Sequence, residues 1–290
     1  MKTNLSAKQR DNVTKGAHLH EAMIFSELSM DAYMNEADFR RKYGDRYSIE
    51  LLDRDGTQCY ALTSPTRLYY IFRGTEATKW SDIKADMKFR KTAASYGTAG
   101  RIHRGFKDAL DCIWEEFLVH YFENQKSIET SVARSYSEGT SDAEHNDAPP
   151  DRLLYFAGHS LGAALATVAA SRVGREDSIG YTFGSPRVGN SKFVEGFVPK
   201  FYRFRNHNDI VTRHPIPFVG YRHIGELRYF GPGGRLIEGV TRKELFMNFV
   251  KSIMQGIWDY EYDSFGDHSS ATYCYCCKIA YAIQKMDSEE

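Results

Sequence analysis

The stretch LLYFAGHSLGAALATVAASRV, residues 153–173, restricts the possible folds more than any other part of the chain. Residues 153–157 are apolar and read as a short buried strand. Leu161–Val173 reads as a helix of small residues that starts almost at once. Between them lies Gly158-His159-Ser160-Leu161-Gly162, a G-x-S-x-G pattern. A turn of this kind holds a serine hydroxyl out at the top of a sheet on strained backbone angles. The positions two before and two after the serine must be small, because larger side chains would collide across the turn. The helix that follows points the positive end of its dipole at the serine and favours developing negative charge. Ser160 is therefore the candidate nucleophile, and the backbone amide of Leu161 is a candidate donor to an oxyanion.

The rest of the chain continues the alternation of strand and helix. Residues 68–72 (LYYIF) form a strong strand candidate and residues 58–62 a weak one. Further strands are expected at 179–183 and 201–204, and a strand pair at 226–230 and 235–238. Leu19, Met23, Ile24, Leu28, Ala32 and Phe39 recur at helical spacing, so residues 17–43 predict one or two helices covering a sheet. Phe106, Leu110, Ile113, Phe117 and Phe122 predict a helix over 105–122. Leu245, Phe246, Phe249, Ile253 and Ile257 predict another over 242–258, and a last one is expected over 272–284. Strands buried on both faces, alternating with helices, indicate a mainly parallel sheet. Residues 127–151 are polar and without sustained period. Long structureless loops are uncommon inside compact domains, so this stretch reads as an exposed, mobile insertion in one domain spanning residues 1–290.

Composition removes several function classes. The 38 basic and 38 acidic residues leave a formal charge of zero, whereas a nucleic-acid binder usually carries a basic excess or stripe. Arg40-Arg41-Lys42 is short and reads as a solvated helix end. No window approaches the roughly 18 apolar residues of a membrane span. The N-terminus lacks the apolar core, about 7–15 residues, of a signal peptide. The five cysteines, Cys59, Cys112, Cys274, Cys276 and Cys277, are odd in number and clustered late, unlike a disulfide framework. A reducing compartment, and with it a cytoplasmic address, is expected. Cys274 and Cys277 form a lone C-x-x-C, but it falls on an apolar helix face and its spacing supplies no further zinc ligands. No metal and no organic cofactor is implied.

A serine nucleophile needs a base, and the base needs an orienting group. On this type of elbow the chain order is Ser, then Asp or Glu, then His. Asp209 follows the strand at 201–204 in a loop past its carboxyl end, where open α/β sheets bind their ligands. Asp177, in a polar stretch between a helix and a strand, is a poor rival. His207, His214, His223 and His268 all follow Ser160. His207 precedes Asp209, against the usual order. His214 and His223 stand close behind it, and His268 lies in a polar loop before the last helix. Chemistry alone leaves these open. Phe72-Arg73-Gly74-Thr75 offers a strand end, a glycine that permits a bend and a hydroxyl residue, a setting for a second oxyanion donor.

Taken in order, the motifs resemble the class 3 lipase family, the group that contains the filamentous-fungal triacylglycerol lipases. They are Phe72-Arg73-Gly74-Thr75, Trp80, Asp86, His103-Arg104-Gly105-Phe106 and Gly158-His159-Ser160-Leu161-Gly162. Thr182-Phe183-Gly184-Ser185-Pro186-Arg187-Val188-Gly189, Asn208-Asp209-Ile210-Val211, Gly220-Tyr221-Arg222-His223 and Asp267-His268 complete the set. The resemblance runs from about Leu68 to Tyr273. It implies an α/β-hydrolase fold, with a central, mostly parallel sheet flanked by helices. It implies a carboxylic ester hydrolase, triacylglycerol lipase first, acting through an acyl-enzyme. Phospholipase A1, mono- or diacylglycerol lipase and feruloyl-type esterase are the alternatives, and a lipid-binding protein on the same fold is the non-enzyme alternative. The implied catalytic set is Ser160, Asp209 and His268, with His268 rather than His223 as base. Thr75 joins Leu161 as oxyanion donor. The implied partner is an acylglycerol or other ester, met at a lipid–water interface. Residues 76–90 match the family's lid, although their mixed charges argue against deep insertion and suit a fixed cap as well. Two features depart from the family: Ala163 stands where a second glycine is common, and the cysteines do not reproduce the disulfides of secreted members.

Overall fold

The computed structural model describes residues 7–74, 90–94, 97–137, 151–237, 239–241, 243–245, 247 and 266–289. The chain enters through α1 (Ala7–Asp31) and α2 (Glu36–Tyr43), then forms β1 (Ser48–Arg54), β2 (Thr57–Thr63) and β3 (Arg67–Phe72). A small separate ribbon follows, β4 (Lys91–Ala93) against β5 (Arg101–His103), leading into α3 (Arg104–Ser137). The second half runs β6 (Leu153–His159), α4 (Leu161–Val173), β7 (Ile179–Phe183), α5 (Ser191–Glu195), β8 (Lys200–Asn206), β9 (Glu226–Phe230), β10 (Leu236–Ile237) and α6 (Ser270–Glu289).

Eight strands make one sheet in the order β1-β2-β3-β6-β7-β8-β9-β10. From β3 to β9 neighbours run parallel, and the edges are antiparallel. The period of two in a strand sorts the side chains onto two cores. Leu68, Tyr70 and Phe72 of β3, with Leu154 and Phe156 of β6, face Phe106, Leu110, Ile113 and Phe117 of α3. Tyr69, Ile71, Tyr155 and Ala157 face the opposite way, onto α1, α2 and α6. There Phe25 of α1 stacks at 4.8 Å on Tyr181 and at 5.3 Å on Tyr155. Aromatic pairs of this kind add about 0.5–1.5 kcal/mol each beyond their buried area. Because Ala163, Ala164, Ala166, Ala169 and Ala170 are all buried, α4 can lie close against both the sheet and α3. This is the α/β-hydrolase architecture.

Several elements differ from expectation. The expected helix over 105–122 runs on to Ser137, so residues 127–137 of the expected insertion are helical. That segment holds no glycine or proline, and adding a residue to an existing helix is far easier than nucleating one. Residues 138–150 lie outside the described residues. The helical region at 17–43 is two helices, parted where the Asn35 side chain accepts from the Asp38 amide at 2.9 Å and caps α2. β1 and the β4–β5 ribbon were not expected. The helix read over 242–258 and the lid 76–90 fall almost wholly outside the described residues.

Candidate active site

Ser160 sits between the end of β6 and the start of α4 with φ 59° and ψ −123°. This is a left-handed conformation that a side chain rarely adopts, held here by close packing around the turn. A Cβ on Gly158 would come within 2.5 Å of the Gly162 carbonyl carbon, and one on Gly162 within 2.1 Å of the Phe72 carbonyl oxygen. Both glycines are thus required by contact. So is Gly74, where a Cβ would meet the His159 carbonyl oxygen at 2.5 Å, so the end of β3 can press against the elbow.

Two segments, one carrying His268 and one carrying Asp209, complete a hydrogen-bonded run to the serine. His268 Nε2 lies 2.8 Å from Ser160 Oγ, and His268 Nδ1 lies 2.9 Å from Asp209 Oδ2. An ionised carboxylate only accepts, so Nδ1 carries the proton and Nε2 is left to accept from the serine hydroxyl. Ser160 and Asp209 are fully buried and His268 is 3% exposed. The Asp209 carboxylate is held from both sides: Oδ1 accepts from the Val211 amide at 2.8 Å, and Oδ2 from the Tyr273 hydroxyl at 2.7 Å. Burial, reinforced by the Asp209 charge, pushes the Tyr273 phenol well above its ordinary range, so it stays a donor. The same hydroxyl accepts from the Asn206 amide at 2.8 Å. Gly184 makes room for the pair, since a Cβ there would stand 2.9 Å from Asp209 Oδ2 and 3.0 Å from the His268 ring.

The backbone of His268 is held as firmly as its ring. His159 Nε2 donates to the His268 carbonyl at 2.6 Å, and His159 Nδ1 accepts from the Tyr33 hydroxyl at 3.0 Å. Burial, with His268 next in size, holds the His159 imidazole well below the usual histidine range, which keeps it in this one neutral tautomer. Asp267 fastens the same turn to the end of β8. Its carboxylate accepts from the Asn208 amide at 2.9 Å and its carbonyl from Asn206 Nδ2 at 3.0 Å.

Of the four histidines considered, the structure brings His268 onto Ser160 among the described residues. His207 faces Asp267 at 3.3 Å, and His223 donates from Nε2 to the Thr212 carbonyl at 2.9 Å, bracing the segment after Asp209. Leu161 opens α4, where the first amides of a helix have no partner inside it. Thr75 lies outside the described residues. Sequence reasoning missed Tyr273, Tyr33 and His159. Tyr273 had one available signal, its place one turn into the helix that follows His268.

The family model described as Lipase (class 3) matches residues 69–219, just over half of the 290 residues. The chain is similar to a secreted mono- and diacylglycerol lipase of Fusarium solani, 35% identical over 150 residues, covering 50% of this chain and 38% of that protein. It is also similar to secreted mono- and diacylglycerol lipase A of Penicillium camembertii, 38% identical over 80 residues and covering 26% of each. The chain thus spans well under half the length of these curated relatives. Among solved structures, lipase II from Rhizopus niveus superposes with a TM-score of 0.60 at 22% identity, covering 75% of this chain and 82% of that one.

These relatives correct the cytoplasmic address, since both are named as secreted proteins. The cysteine pattern misled for a physical reason. Cys59 and Cys277 are fully buried thiols, which burial pushes well above the ordinary thiol range. Such thiols are shielded from oxidation and say nothing about the compartment. Cys274, Cys276 and Cys277 pack as part of the buried α6 face, as the apolar reading expected. Among the described residues no helix is long and apolar enough to cross a membrane. A family match that takes in the elbow and Asp209, on a sheet of the same architecture, places this chain in the class 3 lipase family.

Proposed function

We propose that this chain hydrolyses carboxylic esters, acylglycerols first, through Ser160, His268 and Asp209. Ser160 Oγ attacks the ester carbonyl carbon while His268 Nε2 takes its proton. Asp209 holds the Nδ1–H tautomer and stabilises the imidazolium that forms. The amides of Leu161 and Thr75 donate to the tetrahedral oxygen, where preorganised donors are worth most. Collapse of that intermediate expels the alcohol, which takes the proton from His268, and leaves Ser160 acylated. Water, deprotonated by His268, then releases the acid. In this proposal residues 1–290 are one domain, and residues 76–90 cover the site. The observation that carries it is the hydrogen-bonded run from Ser160 through His268 to Asp209, at 2.8 and 2.9 Å.

Triacylglycerol is the first substrate proposed. Partial glycerides are a second reading, favoured because both relatives described above are named as mono- and diacylglycerol lipases. The test labels the intact chain with a fluorophosphonate and maps the adduct, then compares turnover of emulsified tri-, di- and monoacylglycerols. We expect the adduct on Ser160. Ser160→Ala should lose both labelling and turnover by several orders of magnitude while remaining folded. Continued labelling of the variant at another serine would overturn the assignment.

A further inference from the structure

β8 carries Arg203 and Arg205, two residues apart and so on the same face of the sheet. The two residues are only 7% and 8% exposed. Arg187, after the end of β7, and His223, before β9, lie close enough for the charges of the three arginines to bear on one another and on the imidazole. Nε of Arg203, Nε of Arg205 and Nδ1 of His223 are sealed from solvent and have no hydrogen-bond partner. Arg187 gives Nη1 to the carbonyl oxygens of Arg213 and Pro215, which are neutral acceptors. Among the described residues no carboxylate forms an ion pair with Arg187, Arg203 or Arg205. The Asp209 charge is felt by Arg205, but that carboxylate is already taken up by Val211, Tyr273 and His268.

Buried charges persist in proteins when they are paired, and buried donors when they are hydrogen-bonded. Among the described residues neither condition is met. Burial first, and mutual repulsion after it, push Arg203 down to about 9 and Arg187 down to about 10. Both remain cationic at neutral pH, so the cluster keeps its charge and has no counter-charge among the described residues.

We propose that Arg187, Arg203, Arg205 and His223 form a buried binding site for a small monovalent anion of the halide class. The sealed donors are single Nε–H groups and not open guanidinium forks. That geometry suits a spherical ion, whereas carboxylates and phosphates are matched by the fork. His223 Nε2 is committed to the Thr212 carbonyl, so its Nδ1 becomes a third donor once the anion supplies the charge to hold a proton there. The site has a structural consequence. Arg187 and His223 grip the carbonyls of Thr212, Arg213 and Pro215, so an anion that fixes them also fixes the segment that follows Asp209. The proposal does not depend on the hydrolase reading, and its readout is independent of turnover.

Thermal unfolding of the intact chain is followed as sodium gluconate is replaced by sodium chloride at constant ionic strength, so that general screening does not change. We expect a saturable rise in Tm of about 2–4 °C. Arg205→Met should abolish that rise. Crystals of the wild-type chain soaked in sodium bromide supply a second measurement that needs no variant. An anomalous bromide peak in contact with Arg203 and Arg205 Nε supports the site. Equal Tm in chloride and gluconate, an undiminished chloride effect in Arg205→Met, or no bromide at the cluster would each overturn it.

Discussion

Asp209 has no exposure to water, yet its two oxygens accept from a backbone amide, a phenol and an imidazole. Of these, the Tyr273 hydroxyl is the donor a single substitution removes with least disturbance. Tyr273→Phe keeps the ring's packing but leaves the Asp209 carboxylate short of one donor and strips the Asn206 amide of its acceptor. We expect kcat on a soluble short-chain ester to fall about 10–100-fold, as for other residues that orient a reacting group, with KM little changed. A lowered Tm with unaltered kcat would mean that Tyr273 only packs. At this scale the sequence is legible where a local pattern dictates geometry. Ser160 is set by its flanking glycines, and Asp209 by its place past a strand end. That His268 and not His223 reaches Ser160 was not legible from chemistry, because it depends on Asp267 fastening one loop to β8 and on Thr212 occupying the other histidine. Tyr273 was hidden because an aromatic residue on a helix face usually signals packing alone.

The strand–turn–helix unit of β6 and α4 works only because two backbones touch. Gly162→Ala would drive a methyl into the Phe72 carbonyl, 2.1 Å from its ideal position. We expect a loss of about 1–3 kcal/mol, typical of overpacking, read as a lower urea midpoint, together with loss of turnover as Ser160 shifts. An unchanged midpoint with full activity would show that the contact relaxes without cost. The parallel strands were readable as apolar runs, since both of their faces are covered. β1 was not, because it is an edge strand in which Ile49 and Leu52 are buried among charged positions. Its turn was nevertheless written in the chain. Asp55 and Gly56 both have positive φ, 52° and 79°, the two-residue hairpin that an Asp-Gly pair favours. The overrun of α3 to Ser137 has the opposite lesson. A polar stretch without period is no evidence against helix when nothing in it stops one.

Across the whole molecule, two cores clamp one sheet, and buried histidines sit at their margins. Burial, with Arg152 next, pushes His120 down to about 4, where the Tyr70 hydroxyl meets its Nδ1 at 2.9 Å. His159 is likewise held low. The unfolded chain takes up these protons near the ordinary value of 6.5, whereas the folded chain resists until lower pH. Their contribution to stability is therefore intact above about pH 6.5 and declines below it, that of His120 being lost as pH falls toward 4. Tm measured between neutral and mildly acidic pH should fall through this window, and His120→Gln should flatten the decline. An identical slope in the variant would acquit His120. The architecture was legible from alternation and the cellular address was not, because buried thiols carry no record of the compartment. The block shared with the family, residues 69–219, contains Ser160 and Asp209 but ends well short of His268 and Tyr273, and begins after Tyr33. A graft of that block into another host would carry the proposed nucleophile and acid without the proposed base. It would also lack the Tyr33 and Tyr273 hydroxyls, so the minimum transferable unit is longer than the block that the family match spans.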